Sequence, residues 1–169
     1  MTARAPGSLV VRVASGSAAA TRAAAAAIQP LLVPGDVILL GGDLGAGKTT
    51  FTQGLAQAMG ITQPVTSPTF TLIRTYDGPG SVSLLHADLY RLDHLQEIID
   101  LGLDELLDDG AVAVVEWGDL ATPVMARDYL EVRIDFGAGE DDRNLTLGAV
   151  GGRWIARIPA LRQAVAVGS

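Results

Sequence analysis

One octapeptide, Gly42-Asp43-Leu44-Gly45-Ala46-Gly47-Lys48-Thr49, constrains this chain more than any other feature. It matches G-x-x-x-x-G-K-[ST] in full, the phosphate-binding P-loop. Its glycines let the backbone curl with N–H groups aimed inward, forming a pocket for phosphate oxygens. A helix opening near Lys48 adds its positive end. In such a loop Lys48 bridges the β- and γ-phosphates and the Thr49 hydroxyl ligates magnesium. Asp43, Leu44, Gly45, Ala46, Gly47 and Thr50 complete the expected nucleotide contacts. The motif requires a buried strand before it and an amphipathic helix after it. Both are legible. Val37-Ile38-Leu39-Leu40 is continuous and apolar, and Phe51, Leu55, Ala58 and Met59 give a helical stripe that ends at Gly60.

The rest of the chain alternates in the same manner. Residues 9–14 read as a strand. Ser17 caps a helix with Ala20, Ala24, Ile28, Leu31 and Leu32 on one side, and Pro30 kinks or restarts its last turn. Two strands, 69–76 and 81–87, flank the turn Asp77-Gly78-Pro79-Gly80. A helical stretch over 95–107 breaks near Gly102, and Ala111-Val112-Ala113-Val114-Val115 is a second central strand ending in Glu116. Residues 129–136 and 145–150 alternate as antiparallel edge strands. The expected fold is α/β: a three-layer P-loop sandwich with a mixed, largely parallel central sheet and antiparallel edge strands. Residues 1–8 read as a flexible tail and 9–169 as one domain.

Composition narrows the function. The 169 residues are 49% hydrophobic and 18% charged, as for a globular domain. No apolar run reaches the ~18 residues that cross a bilayer, and the first residues lack the apolar stretch of an export signal. With no cysteine, thiolate metal sites and cysteine nucleophiles are excluded. A cytoplasmic location without membrane association is the expectation. The net charge is −7 and Lys48 is the sole lysine, which does not suit direct gripping of DNA or RNA phosphates.

A P-loop needs acidic help to hold the metal and place the attacking water. Glu116 and Asp88 both end strands, where ligands of open α/β sheets gather. Glu116 ends the more apolar strand and is the expected magnesium ligand, directly or through water, while Asp88 shares the metal or orients the water. Thr66-Ser67-Pro68-Thr69 stands where a switch segment senses the γ-phosphate, with Ser67 and Thr69 as ligand hydroxyls. His86 shares a strand face with Asp88; it either tunes that acid or is a hydrogen-bonded core histidine. Arg91 and Arg143 are candidates for neutralising phosphate charge. His94 reads as a helix-start or surface residue, and Trp117 as packing. Nothing in the residues themselves separates ATP from GTP.

Four blocks in this order resemble the TsaE (YjeE) family of bacterial ATPases: residues 41–51, Thr66-Ser67-Pro68-Thr69-Phe70-Thr71-Leu72, His86-Ala87-Asp88-Leu89-Tyr90-Arg91-Leu92, and Val115-Glu116-Trp117. The resemblance spans roughly residues 9–150. It implies a weak ATPase that acts with the proteins TsaD and TsaB in threonylcarbamoyladenosine modification of tRNA, meeting the tRNA only indirectly. It further implies ATP and Mg2+ as cofactors and Glu116 as a metal ligand, with Asp88 in the active centre. Ser67 to Thr69 would form the switch-like segment, and Arg143 would be the nucleotide-contacting arginine before the last strand. The acid that often precedes the first helix's threonine is absent from Gly16-Ser17-Ala18-Ala19-Ala20-Thr21. Two other readings compete: a nucleotide-gated switch or assembly module, and a small-molecule kinase, for which no arginine cluster is evident.

Overall fold

The computed structural model describes residues 9–68, 73–89, 95–116 and 128–167. Thr69, Arg91, His94 and Trp117, and the tail 1–8, lie outside the described residues. Seven strands form one sheet: β1 (Leu9–Ser15), β2 (Val37–Gly42), β3 (Ile73–Asp77), β4 (Ser83–Asp88), β5 (Val112–Glu116), β6 (Tyr129–Phe136) and β7 (Arg143–Val150). Their order is β1-β7-β6-β2-β5-β4-β3. The centre β6-β2-β5-β4 is parallel, while β3 and the β7-β1 flank run antiparallel. Strands 129–136 and 143–150 do pair antiparallel, but neither is an edge. β6 runs parallel beside β2, and β1 covers β7. Alternation alone could not show this, because it reports which face is buried and not which neighbour is paired.

The central strands are apolar on both faces because helices cover both. On one face lie α1 (Ala18–Ile28), α2 (Lys48–Ala58) and α6 (Ile158–Val167), with the short α5 (Gly152–Ile155) contributing Trp154. On the other lies α4 (Leu103–Asp108), which follows α3 (Leu95–Asp100) in the chain with Gly102 at φ 69° between them. Ser17 caps α1, its Oγ accepting from the Ala20 N–H at 3.0 Å. Pro30 restarts the chain as a single 3-10 turn, Gln29–Leu31. The inner side of α2 is Phe51, Thr52, Leu55 and Ala56; Ala58, expected inside, is exposed. Gly54 also faces inward, where α1 comes so close that a Cβ would sit 2.3 Å from the Arg22 carbonyl oxygen. A helix-weakening residue is placed there because nothing larger fits.

The C-terminal helices close the core of the same face. Trp154, Ile158 and Leu161 are fully buried beside Ile28 and Leu130. Arg157 stacks over the Trp154 ring at 4.5 Å and pairs with Asp36 at 2.7 Å, while Asp36 also accepts from the Val33 N–H at 2.8 Å. This clamp fixes the turn that launches β2, the strand that leads into the glycine loop 43–47.

Candidate functional site

The site lies at the C-terminal ends of the parallel strands. β2 is flanked by β5 on one side and β6 on the other, so the next strand after β5 crosses to the far side of β2. Ligands of open α/β sheets gather at such a switch point. At this point β2 turns into α2 through the loop 43–47. Gly42, Gly45 and Gly47 hold φ of 153°, 80° and 114°, the region where a side chain is strained. A Cβ at Gly42 would lie 2.6 Å from the Ile134 carbonyl oxygen of β6, so this glycine is required by close approach as well. Gly47 is the N-cap residue of α2, leaving the first N–H groups of the helix without side-chain capping.

Lys48 is the first residue of α2 and only 7% exposed. Its ammonium donates to the Gly42 carbonyl at 2.7 Å and to the Asp43 carbonyl at 3.2 Å, so the charge is held over the loop. Thr49 and Thr50 follow, both half-buried, and Leu44 stands at the loop tip with 92% exposure. Arg143 opens β7, yet its Nε donates to the Ala46 carbonyl at 2.9 Å. Its Nη1 donates to the carbonyls of Glu140 and Asp142, each at 2.8 Å, and the guanidinium lies over Phe136 at 4.7 Å. A residue far away in sequence is thus fastened to the glycine loop 43–47.

The two acids are neighbours. The β4–β5 register sets Asp88 opposite Glu116, and the β2–β5 register sets Glu116 opposite Leu40, two residues before Gly42. By strand alternation His86, Asp88 and Glu116 share the face that carries α2. Glu116 is 3% exposed, Asp88 half-buried, and His86 fully buried. His86 Nε2 lies 2.9 Å from Glu116 Oε1. His86 is therefore a hydrogen-bonded core histidine, and its partner is Glu116 on the next strand. The oxygen donors of Thr49, Asp88 and Glu116 are the hard ligands magnesium takes, in the small number it needs when phosphates supply the rest. The residues present fit a magnesium–nucleotide.

Ser67 lies half-buried after the P-loop helix. Its segment is tied back to α2 by Gln53 Nε2, which donates to the Val65 carbonyl at 3.0 Å. Arg74 Nη1 donates to Thr66 Oγ1 at 3.0 Å. Thr69, the other hydroxyl of this segment, is outside the described residues.

The family model "Threonylcarbamoyl adenosine biosynthesis protein TsaE" matches residues 15–145. The chain belongs to the TsaE family. The TsaE protein of Bacillus subtilis, named for tRNA threonylcarbamoyladenosine biosynthesis, is 46% identical over 134 residues, covering 79% of this chain and 82% of its own. The protein of the same name from Streptomyces coelicolor is 43% identical over 135 residues, covering 75% and 88%. A crystal structure of Bacillus subtilis YdiB superposes with a TM-score of 0.80 at 36% identity, covering 94% of this chain and 98% of that one. The resemblance drawn from the four sequence blocks is thereby upheld.

Three features of this TsaE-family chain were not legible in its motifs. The Arg143–Ala46 bond joins positions 97 apart, and no local pattern reports it. The His86–Glu116 pair depends on strand register. At the start of α1, Thr21 is 2% exposed and its Oγ1 shares a 2.7 Å hydrogen bond with Ser15 Oγ, which in turn donates to the Ser17 carbonyl at 2.9 Å. Among the described residues no helix is long and apolar enough to cross a membrane.

Proposed function

We propose that this chain is a magnesium-dependent ATPase serving threonylcarbamoyladenosine modification of tRNA, acting with TsaD and TsaB proteins. One observation carries the reading: a glycine-built phosphate cradle with Lys48 held over it, beside two strand-end carboxylates in register on the same sheet face. Phosphoryl transfer asks for positioning and charge neutralisation more than for covalent chemistry. Loop N–H groups and Lys48 hold the β- and γ-phosphates, Lys48 exchanging its carbonyl partners for phosphate oxygens. Thr49 and Glu116 hold the metal, directly or through water, and Asp88 shares it or orients the attacking water. Bound magnesium supplies neutralisation of the β,γ-phosphate charge. Water adds to the γ-phosphorus, the β,γ-bridging bond breaks, and ADP and phosphate leave. The acids lie on the β5–β4 side of β2 and Arg143 on the β6–β7 side, so the loop is flanked by carboxylates on one side and a guanidinium on the other.

The preference for ATP and the partner proteins rest on family membership. The charge of −7 with a single lysine supports contact with tRNA through partners and not directly. Slow hydrolysis in isolation follows where a small P-loop domain lacks a full set of transition-state cations, since an arginine supplied in trans raises such rates by ~10³–10⁵. A second reading, a nucleotide-gated switch, is favoured by the Gln53 tether between the P-loop helix and the segment around Ser67.

The deciding experiment is titration with MgATP and MgGTP, followed by a structure with magnesium and a non-hydrolysable ATP analogue. Density over residues 42–49 and magnesium-dependent ADP release support the proposal; nucleotide elsewhere defeats it. Asp88→Asn and Glu116→Gln should bind nucleotide and lose hydrolysis. A Glu116→Gln protein that sustains repeated tRNA modification would favour the switch.

A further inference from the structure

We propose that His86 is the positioning residue for Glu116: it fixes one carboxylate oxygen so that the other acts on the metal–nucleotide. The proposal rests on the reading of Glu116 as a metal ligand. It begins from a cost. His86 is fully buried in a strand whose neighbours Leu84, Leu85 and Ala87 are fully buried and apolar, and its register partner Val114 is too. Burying an imidazole there forfeits water hydrogen bonds that an aliphatic side chain would never need. Burying the Glu116 carboxylate at 3% exposure costs more, unless a donor meets it. The one bond made between them, Nε2 to Oε1 at 2.9 Å, offsets part of that cost, while Nδ1 has no hydrogen-bond partner among the described residues. A pair selected for stability alone would be better satisfied or replaced by packing.

Geometry supplies the role. Glu116 follows four buried apolar residues, Val112 to Val115, and stands at the strand tip opposite Asp88 and one strand from the P-loop. Its side chain has three rotatable bonds and several ways to lie across the strand ends. The Nε2–H donor, anchored two residues back on β4, selects one of them. With Oε1 engaged, Oε2 is the oxygen left to act, and Glu116 works through a single oxygen. Partners of this kind orient metal ligands, and their loss typically costs 10–100-fold in metal affinity or activity.

The test compares His86→Leu, which removes the donor, with His86→Gln, which keeps an N–H donor. Mn2+ binding to the nucleotide complex is followed by electron paramagnetic resonance, nucleotide binding in EDTA by calorimetry, and hydrolysis by steady-state kinetics. The expected result for His86→Leu is a Mn2+ affinity and kcat each lower by about 10-fold or more, with the KM for the metal–nucleotide raised in step with the lost metal affinity and metal-free nucleotide affinity near the parent value. His86→Gln should recover part of both. Equal metal affinity and kcat in all three proteins overturn the proposal. So does a His86→Leu protein that loses metal-free binding in the same proportion, because that is the mark of a general structural defect. If the parent protein itself shows no metal-dependent nucleotide binding, the ATPase reading fails, and positioning is then judged from the crystal structure of His86→Leu. A displaced Glu116 carboxylate upholds it; an unmoved one refutes it.

Discussion

The two faces of the sheet do unequal work. One face carries α1, α2 and the C-terminal helices over a continuous core that includes Ile28, Ile38, Phe51, Leu55, Leu130 and Trp154. The other carries α4, six residues long, over a smaller patch centred on Val37, Leu39, Ala113 and Val115. The same strands serve both, alternate residues going each way. Yet Lys48, His86, Asp88 and Glu116 all belong to the first face. β5 shows the division in miniature: its second-face residues Ala113 and Val115 are apolar cover, while on the first face the strand ends in Glu116. A large rigid core beneath one face lets polar groups be held at its rim, since their burial is offset by the packing around them. The small face has no such reserve.

The largest expected effect tests that inequality. Phe51→Ala empties a fully buried site under α2 and should cost about 3–5 kcal/mol, read from urea unfolding. Leu103→Ala, 4% exposed beneath α4, should cost nearer ~2 kcal/mol because a short helix can settle into the gap. Equal losses would mean that both faces are equally rigid. Lys48→Ala comes next. It should weaken MgATP binding by about 2–3 kcal/mol or more, the scale of a lost charge-assisted contact, with unfolding little changed. Unchanged affinity by calorimetry would remove the phosphates from this face altogether. Gly54→Ala is the third. Its Cβ would meet Arg22 backbone at 2.3 Å, forcing α1 and α2 apart at a cost of about 1–3 kcal/mol. A neutral result in the unfolding curve would show that the α1–α2 contact is soft.

Legibility followed the same division between local and non-local. β2, β5 and α2 could be read because a buried strand is a continuous apolar run and the P-loop fixes what flanks it. Ser17, Gly60 and Gly102 marked their helix ends through capping chemistry and positive φ. Alanine misled: Ala58 sits at a position of the expected stripe and is exposed, while Ala56 and Thr52 are buried, because small residues carry little periodic signal. The candidate acids were legible one by one as strand ends. Their being side by side was not, since register is set by pairing across the sheet. The Arg143 bond to Ala46 and the Arg157 clamp on Asp36 were equally silent, being contacts between segments distant in sequence.

The smallest effect marks where the second face gives out. Helix α4 packs over β2, β4 and β5, and beyond it β6, β7 and β1 turn Arg133, Asn144 and Arg12 outward, all exposed. An antiparallel flank can leave one face to water in this way, with polar residues alternating against the buried Val11, Leu147 and Val132. Arg12→Gln on β1 should therefore shift unfolding by no more than ~0.5 kcal/mol. It should leave nucleotide affinity untouched, because its side chain points away from the site. A loss several times larger in the purified protein would show that Arg12 is an anchor of the fold. The contrast between a face that holds chemistry and a face that only covers would then need redrawing along β1.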